Sequence, residues 1–269
     1  MDPHLPFLKA IAANPADDLP RLVYADFLEE TGEQAHVARA HFIRIQIAQE
    51  FLPVDSRDRA QAAESALALL WQHLGSWSGV LAQAVGANMD QVWWRRGFPS
   101  ELSIDAVDLV RHGRAIFEQF PIERLRLEQD SGGGTSFQDI DYLTRVTRLR
   151  VGLHFAHLHD TLPEDDPWFF AQVMRPGLLP SLLALDLSGN LISDRWLVRF
   201  VSTLPNASFA ATLEELDLSN CHTLTDAGAN TLATTRSANR LKVLRLAGIP
   251  LSAAAVVMLA RRFGERLII

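Results

Sequence analysis

The sequence predicts a mixed α/β chain: an all-α helical cap, then a solenoid with parallel strands on its concave side and helices on its convex side. Three observations predict it. Residues 1 to about 90 carry helix start and stop signals and little strand alternation. After them, short alternating segments return, anchored at Leu102, Leu125, Leu149, Leu185, Leu216, Leu244 and Leu267. Helical runs opened by a hydroxyl residue follow the anchors at Leu185, Leu216 and Leu244. A unit of one strand and one helix cannot bury its apolar face alone and does so by stacking on its neighbours.

The cap region reads as four helices. "PFLKAIAANP" is a short helix closed by Asn14-Pro15. Pro20 sits in the first turn of "LPRLVYADFLEETGE", which stops at Gly32. Phe42, Ile43, Ile45 and Ile47 belong to a third helix in "AHVARAHFIRIQIAQEFL". "RDRAQAAESALALLWQHLGSW" is a fourth, rich in alanine and carrying Trp71. The boundary is placed near residue 90, giving a helical region over residues 1–90 and a repeat region over residues 91–269. "VWWRRGFPSELSID" is then the junction: Gly97 and Pro99 break the chain, and Leu102 and Ile104 alternate as a first strand. Trp93 and Trp94 are expected to seal the cap against the first repeat, whose core face would otherwise be open.

The repeats are clearest at "LLALDLSGNLISDRWLVRFV", "LEELDLSNCHTLTDAGANTLA" and "LKVLRLAGIPLSAAAVVMLA". Leu185 and Leu187, Leu216 and Leu218, and Leu244 and Leu246 alternate with other residues, so each pair shares the inner face of a short strand. Asn190 and Cys221 stand three residues after the last strand leucine of their units. A buried Asn can bond the backbone of the turn there, and a small apolar Cys with a weak donor fits the same slot. Ser193, Thr225 and Ser252 are N-cap candidates for the returning helices. "IERLRLEQD", "VTRLRVGLH" and "ERLII" are degenerate units with inward Leu125 and Leu127, Leu149 and Val151, and Leu267 and Ile269. The long step from Leu149 to Leu185 requires an insertion near 154–178. "DSGGGTS" is a loop without the spacing of a phosphate-binding motif.

The L-x-x-L-x-L-x-x-N/C pattern resembles the leucine-rich repeat, and its cysteine-containing, ribonuclease-inhibitor-like class, through "LEELDLSNC" and "LTDAGANTLA". A second resemblance covers roughly the first fifty residues. Asn14-Pro15, Asp17-Asp18, the run from Pro20 to Asp26, Leu28-Glu29-Glu30, Gly32 and the run from Phe42 to Gln46 are similar to a bacterial helical module, the repeat-companion domain. Phe27 stands where that module has Trp, and His41 where it has an acidic residue. The resemblance implies a helical domain ahead of bacterial leucine-rich repeats and carries no activity with it.

Charge and composition bound the function. A formal charge of −7 disfavours nucleic acid as a partner. One cysteine excludes an internal disulfide and fits a reducing compartment. The N-terminal stretch has no secretory pattern, and no window is apolar enough to span a bilayer, so cytoplasmic residence without a membrane partner is expected. Outward strand positions carry Arg124, Arg126 and Glu128, then Arg148 and Arg150, then Ala184, Asp186 and Ser188, then Glu215, Asp217 and Ser219, then Val243 and Arg245. This face runs from basic to acidic and predicts a groove that orients a protein ligand. The four arginines would hold an acidic segment, and Asp186, Glu215 and Asp217 would repel a reversed one. The expectation is a non-enzymatic protein–protein interaction module, a scaffold with no cofactor, metal or catalytic residue. The alternative is a metal-dependent enzyme built on His154, His157, His159 and Asp160, with Glu164, Asp165 and Asp166 behind them; imidazole and carboxylate are good transition-metal ligands.

Overall fold

The computed structural model describes residues 3–86, 89–128, 135–152 and 169–269. They form a mixed α/β chain that divides into two compact units: residues 1–102 with 111–123, and residues 103–110 with 124–269.

The first unit begins with α1 (Leu5–Ala13), α2 (Leu19–Glu30), α3 (Gln34–Glu50) and α4 (Arg57–Trp77), the four helices expected from the sequence. A short fifth, α5 (Leu81–Val85), follows. Pro15 ends the first helix beyond Asn14, since proline disfavours helical backbone before it. Pro20 lies in the first turn of α2, where no intrahelical N–H is needed. Gly32 adopts a φ of +70° and turns the chain toward α3. Ser56 caps α4 by accepting from Arg59 N at 3.2 Å. Ile11, Ala25, Leu28, Ala40, Ile43 and Phe98 form the core of this unit. On the surface Arg44 donates to both Asp26 and Glu29, tying α3 to α2.

The expected break at Gly97 and Pro99 is instead a hairpin. β1 (Val92–Arg95) pairs antiparallel with β2 (Phe98–Asp105), and Arg95 faces Phe98 across a two-residue turn. Arg96 and Gly97 carry φ of 52° and 84°, the positive values that such a turn demands. Gly97 has a second reason to be glycine: a Cβ would come within 2.8 Å of Ile43 Cα. Pro99 is tolerated because the register shifts beside it, leaving Ser100 as an extra residue. Trp94 packs within this unit, 5.9 Å from the Phe42 ring, while Trp93 is 37 % exposed. Helix α6 (Ala106–Gln119) follows β2, and the division between units runs through both elements.

The second unit contains β3 (Arg124–Glu128), β4 (Arg148–Gly152), β5 (Ala184–Asp186), β6 (Glu215–Asp217), β7 (Val243–Arg245) and β8 (Leu267–Ile268). Each pairs parallel with the next in chain order. The order never reverses, as it would in a doubly wound sheet. The anchors Leu125, Leu149, Leu185, Leu216, Leu244 and Leu267 stand in one register row. The first five are 0–2 % exposed, and burying each such leucine stabilises by roughly 1.5–3 kcal/mol before entropy is counted. Helices α7 (Asp194–Thr203), α8 (Asp226–Thr234) and α9 (Ala253–Phe263) lie between the later strands.

The turns after β5, β6 and β7 repeat one design. Gly189, Asn220 and Gly248 all take positive φ, at 73°, 59° and 75°. Asn190 Nδ2 donates to Val151 O at 2.9 Å and to Leu187 O at 2.8 Å. Cys221, fully buried, donates from Sγ to the same Leu187 O at 3.3 Å. Ser193, Thr225 and Ser252 cap their helices by accepting from Trp196 N, Ala227 N and Ala255 N. The aspartate after each of the first two caps also reaches forward. Asp194 accepts from Thr225 N at 2.9 Å and Thr225 Oγ1 at 2.6 Å, and Asp226 accepts from Ser252 N at 2.9 Å. Successive helix starts are thereby linked. In the expected insertion, Phe169–Val173 form a π-helical turn, with Phe169 packed 5.2 Å from the Trp196 ring. The remainder of that insertion up to residue 168, and residues 130–134 of the "DSGGGTS" loop, lie outside the described residues.

Candidate functional site

The polar face of the second unit's sheet follows from strand alternation. With the leucines buried, the residues between them point the other way. Register sets them in two rows. One contains Arg124, Arg148, Ala184, Glu215 and Val243; the other contains Arg126, Arg150, Asp186, Asp217, Arg245 and Ile268. Glu128 ends the outward positions of β3, opposite Gly152.

The basic and acidic positions do not stay apart as two zones. Arg148 Nη2 and Nη1 meet Glu215 Oε1 and Oε2 at 3.1 and 3.3 Å. Glu215 Oε2 also accepts from Arg245 Nη1 at 3.3 Å. Arg150 Nε lies 3.9 Å from Asp186 Oδ2. Arg148 and Glu215 sit two strands apart, about 9.6 Å at the usual spacing. The bridge forms because the residue between them is Ala184, whose methyl leaves room for the guanidinium to pass; Ala184 itself is 8 % exposed. Burial alone would raise the Glu215 carboxyl, but Arg148 and Arg245 outweigh it and hold that carboxyl below its usual value.

Asp186 and Asp217 have a second duty. Each accepts, through Oδ1, the N–H of the serine two residues later, Ser188 or Ser219, at 2.8 Å. One oxygen of each is thus engaged by its own turn. The repeated "LDLS" carries this signal, since an aspartate bonding the backbone two residues on is a common turn device. At the turn itself, the Cys221 thiol is pushed up to about 12 by burial, so it stays protonated at neutral pH and reacts poorly.

His154, His157, His159, Asp160, Glu164, Asp165 and Asp166, the candidates for a metal centre, lie outside the described residues. Among the described residues, no group of three or more His, Cys, Asp and Glu is placed to hold a metal ion, and no helix is long and apolar enough to cross a membrane.

The family model described as Leucine Rich repeat matches residues 210–233, the stretch that holds β6 and most of α8. The match supports a leucine-rich-repeat protein. No curated protein matches the chain.

Proposed function

We propose that the chain is a leucine-rich-repeat solenoid behind an all-α cap, with the division near residue 90, and that it acts as a non-enzymatic interaction module. Its concave sheet face binds a protein partner through Arg124, Arg126, Arg148, Arg150, Asp186, Glu215, Asp217 and Arg245. The matched repeat supports this reading, because stacked repeats offer a long surface suited to proteins. The observation that carries it is the ion-paired lattice from β4 to β7. Arg148, Glu215 and Arg245 are held by one another at 3.1–3.3 Å while keeping 48, 23 and 36 % of their side-chain surface exposed. Charges already ordered before binding cost less to immobilise, and a fixed sign pattern discriminates between partners. The net charge of −7 disfavours nucleic acid, and the single cysteine fits a cytoplasmic setting.

The test compares proteins captured at low salt by the tagged wild type and by an Arg126→Glu/Arg150→Glu double variant. A partner retained by the first and lost by the second, with melting unchanged, supports the groove. Equal capture by both, or a lowered melting temperature that accounts for the loss, overturns it.

A further inference from the structure

The first unit contains an arginine in an unusual place. Arg39, on α3, is 8 % exposed. Its guanidinium lies among four aromatic rings, with centroids at 4.7 Å for Trp77, 5.0 Å for Trp94, 5.1 Å for Phe98 and 5.5 Å for Phe42. Among the described residues it has no hydrogen bond or ion pair, and its Nη1 is buried without an acceptor. Burial presses its proton affinity down to about 9, and the one group acting in the other direction is Tyr24, not a carboxylate. Its neighbour Arg21 is also buried, but has a main-chain acceptor in Asp17 O at 2.7 Å. Ring faces attract a cation, but they do not accept its in-plane N–H groups. A buried charge ordinarily persists only with a partner.

Arg39 lines a cavity of about 310 Å³. The remaining wall is suited to a small acid. Leu8, Leu28, Trp77 and Phe120 supply apolar surface, and His4, Tyr24, His36 and Ser76 supply polar atoms. Among the described residues, no Asp or Glu lines it. His4 Nδ1 and the Tyr24 hydroxyl are 3.0 Å apart, and the His4 and His36 rings stand edge to face at 5.2 Å. The volume lies at the small end for ligand pockets, which run from about 300 to 1,000 Å³.

We propose that this cavity is a binding site for a small organic carboxylate with a flat apolar body, held by the Arg39 fork and stacked against Trp77 and Phe98, the two of those four rings that line it. A planar guanidinium matches a carboxylate with two parallel bonds, and the ligand would supply the counter-charge that the described residues do not. The acid is either a free metabolite or the C-terminal residue of another chain, which share the same carboxylate.

The test uses the full chain and five probes: phenylacetate, phenylacetamide, inorganic phosphate, and Gly-Gly-Phe with a free or an amidated C-terminus. Melting temperature and the side-chain ¹⁵N signals of arginine are followed for wild type, Arg39→Lys and Arg39→Met. The expected result is a saturable rise in melting temperature with phenylacetate, and none with its amide. An arginine side-chain signal shifts in the wild type, affinity falls about tenfold or more in Arg39→Lys, and binding is absent in Arg39→Met. If only the free-acid peptide acts, the carboxylate site stands and its source is a chain end. The proposal is overturned if neither acid binds, if acid and amide act alike, or if phosphate matches phenylacetate. Binding that survives in Arg39→Met overturns it too. Should Arg39→Met fail to fold, the wild-type arginine signals decide: no shift with either acid, or the same shift with the amide, overturns it.

Discussion

Asn190→Ala removes a buried amide that serves two strand ends at once. Its Nδ2 donates to Val151 O at 2.9 Å and to Leu187 O at 2.8 Å, and at 5 % exposure water has little access to take its place. Taking the donor from a buried carbonyl costs about 1–3 kcal/mol. The two losses are unequal, because Leu187 O keeps the Cys221 thiol as a weak donor at 3.3 Å. With Val151 O near the middle of that range and Leu187 O at its lower end, the variant should lose about 3 kcal/mol. Asn190→Cys borrows the residue of the next unit, which restores volume and one weak donor, so about half that loss is expected. Hydrogen exchange read by mass spectrometry across a urea series measures it. Peptides from β4 to β6 should lose protection, while peptides from α2 and α3, in the other compact unit, serve as reference. A loss below about 1 kcal/mol for alanine, or cysteine no better than alanine, would refute the assignment of Asn190 as the shared donor.

Gly189 and Gly248 have matching backbones, but only at Gly248 would a Cβ collide, 2.3 Å from Asn220 Oδ1. Gly189→Ala and Gly248→Ala should nonetheless each cost about 1–2 kcal/mol in a denaturant titration, the cost of a left-handed backbone, because the exposed Asn220 amide can swing away from the new Cβ. Glu215, lowered in the fold, contributes its ion pairs above the unfolded carboxylate value of about 4.3 and loses them as pH falls through the lower folded value. Acid titrations should accordingly show a shallower stability loss in Glu215→Gln, with a difference at pH 7 under about 1 kcal/mol because the pairs are exposed. The Cys221 thiol, buried and pushed up to about 12, should resist a thiol reagent until the unit unfolds. Cys221→Ala should cost about 1–2 kcal/mol and leave partner capture intact.

Where one local cause sets the structure, the sequence is legible. The four long N-terminal helices carry their own proline and glycine punctuation, and the three caps at Ser193, Thr225 and Ser252 are written next to the helices they start. The leucine anchors are legible because period-two alternation survives even in strands of three residues. Helix α6 escapes the sequence reading: its buried Leu109, Ile116 and Phe117 follow helical spacing, which a search for strand anchors does not register. β1 escapes it because Arg96 is a poor turn signal, although Gly97 beside it is a good one. The Arg148–Glu215 bridge spans 67 positions and depends on what lies between its ends, so no local pattern announces it. Arg39 offers less still, since a lone arginine on a helix reads as solvated surface until the rings around it are assembled.

Ala184 gives the outer face a form of evolvability. The charge pattern there depends on a side chain with no charge and almost no polarity, one that works by being short. A single substitution to a bulkier residue would close the passage over β5 and release Arg148 and Glu215 to point elsewhere, with every ionisable group still in the sequence. Two chains could then present different outer faces while keeping the same charged residues, and a comparison restricted to those residues would overlook the position that separates them.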